Sequence, residues 1–365
     1  MEKFTRWEDK SNGINPFVPN GRQSRALPLA AAGAVLAVVK LVLLFGVGLV
    51  LAVGLGLETV VVARPLRALV RLIITRPLVR LMLLLLGFWT IGEALPDPRR
   101  LRLGKLSKKG VSDSQEALQS FGRTVRRGDL LLFNSTSIVE VLYLYARFSA
   151  DFVVPSLPDG NGFKQVGLVG ALKRAAYHGI DPSKAPCNGG TARITELQSS
   201  ANFPLAVFAE GARTNGKAVM EFVPALAQDT AFHDGTTRVH ITAFSYPHVA
   251  WSPCNPVDGI LTYLFRACSM FRNTMYVNLV PYEVWTAERE NRANNHPETD
   301  VRSLLASAVG NRGVKQVALS LSVYFDFLEY YHSSSLYVAV GGRHISSSAV
   351  PSKQAEPNER SGLAG

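Results

Sequence analysis

Apolar and polar positions divide this chain into three regimes. Residues 1–25 are mostly polar and carry Asn12, Asn15, Pro16, Pro19 and Gly21, turn formers that predict a flexible basic arm. Ala26 to Val62 is almost wholly apolar, with Lys40 and Glu58 as its only charges. At ~1.5 Å per residue a single helix of that length exceeds a ~30 Å hydrocarbon core, and Gly46, Gly48, Gly54 and Gly56 permit a bend. The run begins too late and continues too long for a signal peptide. Arg64, Arg67, Arg71, Arg76 and Arg80 then interleave with Leu, Val and Ile before Leu81–Trp89 turns apolar again.

Two arrangements fit this region. With Ala26–Val62 and Leu78–Leu95 as two spans, the arginine-rich link faces the lumen, against the positive-inside rule. With Ala26–Val62 as a hairpin or re-entrant pair, both basic flanks stay cytosolic and Arg64–Leu95 lies in the interface as an amphipathic helix. Charge placement favours the hairpin. A second basic cluster, Arg99, Arg100, Arg102, Lys105, Lys108 and Lys109, suits anionic headgroups at ~1 kcal/mol per residue.

From Gly128 the pattern becomes globular. Asp129–Phe133, Phe152–Pro155, Phe203–Phe208, Val239–Ser245 and Met275–Pro281 read as strands. Ser137–Phe148, Gly170–Tyr177, Thr191–Ser200 and Leu261–Arg272 read as helices, and Gly160–Cys187 as a connection bearing one of them. The alternation predicts an α/β fold with a mixed or parallel sheet flanked by helices. Val301–Val309, Gln316–Leu321 and Tyr324–Tyr331 close the domain. The expected divisions are an arm (1–25), a membrane anchor (26–100), a globular domain (101–335) and a disordered tail (336–365).

Composition narrows the partners. Net charge is +11 over 365 residues, which favours anionic lipid or phosphorylated substrates. Nucleic acid is disfavoured, because zinc-finger spacing, an RNP-like aromatic run and a basic recognition helix are all lacking. Cys187, Cys254 and Cys268 are widely spaced and imply neither a disulfide framework nor a metal cluster. A G-x-S-x-G elbow is also lacking, which excludes an α/β hydrolase.

Candidate chemistry sits at two strand ends. After Phe203–Phe208 comes Ala-Glu210-Gly211-Ala-Arg213-Thr-Asn-Gly-Lys217, a glycine-bracketed turn that presents cations suited to phosphate. After Asp129–Phe133 comes Asn134-Ser135-Thr-Ser-Ile-Val-Glu140, rich in helix-capping residues. In this order, behind an apolar N-terminal region, the two segments resemble the PlsC-type glycerolipid acyltransferases, and among them the fungal lysophosphatidic acid:oleoyl-CoA acyltransferase branch. The likeness covers roughly residues 120–285. Ala209 stands where the family usually has Pro, and Ala212 where it often has Thr.

The resemblance implies a PlsC-like fold behind a membrane-embedded helical hairpin. It implies acyl transfer from acyl-CoA to lysophosphatidic acid or another lysophospholipid, giving phosphatidic acid. The expected setting is the cytosolic face of the endoplasmic reticulum or a lipid droplet, with membrane lipids as partners and neither cofactor nor metal. Arg213 would hold the phosphate, Gly211 would allow close approach, Glu210 would orient Arg213 or a hydroxyl, and Lys217 would add a charge. One departure matters. The family pattern N-H-x-S-x-x-D has its imidazole base at Ser135 here and its carboxylate at Glu140. A serine hydroxyl is no general base at neutral pH. Three outcomes stay open: Glu140 acts as base if burial raises its pKa; a distant histidine such as His240 or His248 enters the site; or the chemistry is lost and a lipid-binding or tethering module remains. A lysine usual in the family after the second strand is replaced within Phe152–Ser156. Ser245–His248 with Trp251, and Leu279–Tyr282, are candidates for an acyl tunnel.

Overall fold

The computed structural model describes residues 2–20, 27–96, 121, 124–229, 237–247, 251–254, 256–282, 297–310 and 313–339. The basic cluster Arg99–Lys109, His248 and the expected tail from 340 onward lie outside these residues.

Among the described residues nine strands form: β1 Ile91–Ala94, β2 Leu130–Phe133, β3 Asp151–Pro155, β4 Phe163–Val166, β5 Leu205–Phe208, β6 Ala218–Val219, β7 Val239–Ser245, β8 Met275–Val280 and β9 Lys315–Gln316. Seven make one mixed sheet in the order β1-β8-β7-β2-β5-β3-β4. Its centre, β7-β2-β5-β3, is parallel, and β4 and β8 add antiparallel neighbours on either side. β6 and β9 pair separately. The helices are α1 Leu27–Val60, α2 Arg64–Val70, α3 Arg76–Leu85, α4 Ile138–Phe148, α5 Leu168–Ala176, α6 Ile194–Ser200, α7 Ile260–Cys268, α8 Pro297–Ala308 and α9 Leu321–Ala339. The α/β class and the helix-flanked mixed sheet agree with the pattern read from the sequence.

β2 is buried along its whole length because helices cover both faces, which is why it reads as an unbroken apolar run. Leu130 and Leu132 point to a core shared with Trp7, Phe17 and α9 residues such as Phe327. Leu131 and Phe133 point to the opposite core, shared with α4, α5 and the inner stripe of α1.

The N-terminal elements depart from expectation in three ways. First, residues 2–20 are not a loose arm. Trp7 and Phe17 are buried, the Trp7 Nε1 donates to Asp326 at 2.8 Å, and the Trp7 ring lies 4.7 Å from Tyr330. A few spaced aromatics outweigh the polar majority, because each buries a large apolar area. Second, α1 is one unbroken helix of 34 residues, long and apolar enough to cross a membrane. The reversal expected inside Ala26–Val62 occurs instead at residues 61–63, where Pro65 opens α2 in its first turn. The glycines of α1 do not interrupt it, since helix backbone tolerates single glycines. Gly54 instead admits close packing, as a Cβ there would lie 3.1 Å from Thr75. A π-helical stretch, Arg71–Thr75, joins α2 to α3 just before Pro77, which has no N–H to complete the regular ladder. Third, β1 belongs to the main sheet, so the boundary expected at residue 100 falls after a strand of the globular domain.

α1 lies along the domain. Ala37, Lys40, Leu44, Leu51, Gly54 and Glu58 are its buried stripe, at spacings that keep one helix face. Lys40 Nζ donates to the Met270 carbonyl at 2.8 Å. At the other end Arg71 donates to Glu58 Oε2 at 3.0 and 3.1 Å and to Asp151 Oδ1 on β3 at 2.9 Å. The remaining sides of α1 are exposed and apolar, including Val42, Phe45, Leu49 and Val53.

Candidate active site

The two motif segments meet at the carboxyl ends of parallel strands β2 and β5, where open α/β sheets gather their ligands. Asn134 continues β2 with its side chain: its amide donates to the Phe244 carbonyl at 3.0 Å and accepts from the Phe244 N–H at 2.7 Å. Ser137 then caps α4, accepting from the Val139 N–H. On the other segment, the Thr214 N–H donates to the Ser135 carbonyl at 3.0 Å, which sews the loops together. Glu210 braces its own segment: one oxygen accepts from the Met220 N–H at 2.9 Å, while Oε1 is buried without a hydrogen-bond partner among the described residues. Gly211 has φ +66, a left-handed conformation that favours glycine.

A cleft of about 20 Å³, room for one water, lies between the segments. Ser135, Arg174, Tyr177, Gly211, Arg213 and Tyr324 line it. Arg213 is 5% exposed, and its Nη2 has only a long contact, 3.4 Å, to the Pro256 carbonyl. Its Nε has no partner among the described residues. The Tyr324 hydroxyl accepts from Arg213 and donates to the Pro256 carbonyl. Arg174 was not expected here. It is 7% exposed, and its Nη2 lies 3.5 Å from the Gly211 carbonyl. Burial pulls its pKa down to about 10, so it remains a cation at neutral pH. Among the described residues neither arginine makes an ion pair.

The carboxyls are placed differently from the sequence expectation. Glu210 packs beneath the loop, where it holds the Met220 N–H rather than Arg213; burial pushes its pKa up to about 8 against backbone hydrogen bonding and the Arg302 charge. Glu140 is fully buried and does not line the cleft. Its oxygens accept from the Thr136 N–H at 2.9 Å, from the Thr136 hydroxyl, and from the Tyr246 hydroxyl at 3.3 Å. Desolvation raises its pKa to about 8, opposed by these hydrogen bonds and one from the Ser137 backbone.

Other expected residues lie elsewhere. Lys217 is exposed and faces a separate cavity of about 380 Å³, together with Tyr246, Pro247 and Tyr276. That places the Ser245–Pro247 part of the expected tunnel beside a cavity. Leu279 and Val280 are core residues, and Tyr282 stacks near His240, so Leu279–Tyr282 lines neither space. His240 pairs with Asp129 at the opening of β2, the opposite end of the sheet, at 3.2 Å. His178, His240 and His332 are the described histidines, and none lines the cleft.

No family model matches the chain, and no solved structure matches it. Over 229 residues, 61% of its length, the chain is 27% identical to a Schizosaccharomyces pombe protein named "Putative lysophosphatidic acid:oleoyl-CoA acyltransferase", 67% of which is covered. The name agrees with the resemblance carried by the two motif segments.

Proposed function

We propose that this chain, which resembles the PlsC-type glycerolipid acyltransferases, transfers an acyl group from acyl-CoA to a lysophospholipid, with lysophosphatidic acid as acceptor and phosphatidic acid as product. The observation that carries the reading is the meeting of Ser135 and Arg213 in one cleft, tied by the Thr214–Ser135 hydrogen bond. Buried guanidinium N–H groups with weak or no partners are ready donors to phosphate oxygens. With the phosphate on Arg213, the free hydroxyl of the lysolipid is held near Ser135. Glu140, held by Thr136 in the loop that carries Ser135, is the proposed acceptor of that hydroxyl's proton, although it lies behind the cleft lining. The acyl donor is an acyl-CoA thioester; the hydroxyl oxygen bonds to its carbonyl carbon, and the CoA thiol leaves with a proton. The exposed apolar sides of α1 support a membrane setting for this work; the setting proposed is the endoplasmic reticulum or a lipid droplet, with the domain in the cytosol.

The absence of an imidazole from the described cleft favours one other reading, a lipid-binding module on the same fold that has lost turnover. Purified full-length protein incubated with labelled oleoyl-CoA and lysophosphatidic acid separates the two. Labelled phosphatidic acid, with KM raised or turnover abolished in Arg213→Ala, supports the transferase. Retained lysolipid binding without turnover supports the binding module. An unchanged KM in Arg213→Ala across several lysolipids removes Arg213 from the site.

A further inference from the structure

We infer that Arg174 is a second phosphate-binding residue, and that with Arg213 it makes the cleft selective for a terminal phosphomonoester over a phosphodiester headgroup. The inference rests on the reading of the cleft as the lysolipid headgroup site.

The two arginines come from unrelated parts of the chain. Arg213 stands on the glycine loop after β5, whereas Arg174 lies in the last turn of α5, where a cation also meets the negative end of the helix. They line one cleft and are both more than nine-tenths buried. Long side chains of this type are rarely buried without a charged partner. Here the neighbours that answer them are uncharged: the Gly211 and Pro256 carbonyls at 3.5 and 3.4 Å, and the Tyr324 hydroxyl. Both contacts are long for hydrogen bonds that involve a charged group. The Arg213 Nε makes none among the described residues. Among the carboxylates, Glu140 is committed to the Thr136 N–H and hydroxyl, and Glu210 holds the Met220 N–H through one oxygen while its Oε1 has no hydrogen-bond partner; neither makes an ion pair with the two arginines among the described residues.

Two guanidiniums that make no ion pair among the described residues match the charge of a phosphomonoester, about −1.5 to −2 at neutral pH. A phosphodiester carries one negative charge and, in the choline and ethanolamine lipids, a cation beside it. Such a headgroup leaves one guanidinium unanswered and sets its own cation against the other. Arg213 alone would hold either kind of phosphate, so Arg174 supplies the discrimination. Entry of the phosphate displaces the Tyr324 hydroxyl from Arg213, since the cleft as built has room for only about one water.

The test uses full-length protein in detergent micelles with two soluble probes, glycerol 3-phosphate and glycerophosphocholine, read by titration calorimetry. Wild type is expected to bind the monoester at least about tenfold more tightly, the scale of one charge-assisted hydrogen bond. Arg174→Met should lose that preference, while Arg174→Lys keeps part of it. Arg213→Gln should weaken both probes. Arg174→Met should also raise the unliganded Tm, because a buried cation without a partner is removed. A purely structural Arg174 predicts the reverse: a lower Tm with the monoester preference intact. Wild-type preference retained in folded Arg174→Met overturns the inference. So does a wild type that binds neither probe, or binds both equally. Monoester selectivity in a protein that transfers no acyl group supports the inference and overturns only the transferase reading.

Discussion

Glutamine in place of Glu140 separates two consequences of burial that the wild type combines. In the fold this carboxyl titrates at about 8, against 4.5 for an exposed glutamate. The neutral form is therefore the one the fold prefers, and ionisation costs stability. The contribution is fully present below the unfolded pKa and is lost as pH rises through the folded one. Worked from those two values, the carboxyl withdraws on the order of 1 kcal/mol by pH 5.5 and roughly 4 kcal/mol by pH 7.5, a difference of a few kcal/mol. Glutamine keeps an acceptor for the Thr136 N–H and does not titrate. Glu140→Gln should therefore be more stable than wild type near neutrality, with the gap narrowing by roughly 2–3 kcal/mol on acidification from pH 7.5 to 5.5. Glu210, at a similar pKa, tilts both curves equally and cancels in the comparison. Turnover should move the opposite way: wild-type rates climb towards pH 8 as the proton acceptor ionises, and the variant is inactive throughout. Urea unfolding in detergent at the two pH values, beside rate profiles with labelled oleoyl-CoA, provides the check. Parallel stability curves would refute the account of burial, and near-wild-type rates in the variant would remove Glu140 from proton transfer.

Arg71→Ala should cost about 3–5 kcal/mol, because it leaves Glu58 and Asp151 without their shared cation in a site where Arg71 is 6% exposed; denaturant titration measures it, and a loss below about 1 kcal/mol would mean that the network is solvated. Trp7→Ala should remove about 3–5 kcal/mol and expose residues 2–20 to limited proteolysis. The same variant should raise the lysolipid KM, since the Asn215 side chain bonds the Asn15 and Val18 carbonyls, both at 2.9 Å, and sits two residues after Arg213. An unchanged proteolysis pattern would show that the arm is held without Trp7.

What could be read from the sequence was whatever depends on local pattern. The buried strands β2 and β5 announce themselves as apolar runs and β7 as an apolar alternation, and the polar segments after β2 and β5 carry their turn chemistry with them. Their convergence at one end of the sheet follows from parallel pairing. Arg174 was not legible, because a basic residue in the last turn of an amphipathic helix ordinarily faces water. Only the packing of α9 and the glycine loop over α5 encloses it. The described arm was missed for a related reason: Phe4, Trp7 and Phe17 have no periodicity, and their partners lie some three hundred residues away on α9. β1, Ile-Gly-Glu-Ala, has little strand propensity of its own and forms by pairing with β8. Glu140 and Glu210 were found as residues, but their surroundings were not, because hydrogen-bond partners at 0% exposure are a property of the packed state.

The fastening of α1 at Lys40 and at Glu58 has a mechanical meaning. Roughly 27 Å of helix separates the two attachment points, close to the thickness of a hydrocarbon layer. A rod pinned to the body at both ends is a keel rather than a mooring line: when lipid wets its outer flank, the whole body is drawn down with it and its draught is set. In the proposed membrane setting, the opening between β2 and β5 keeps a fixed place relative to that rod, because both belong to the same body.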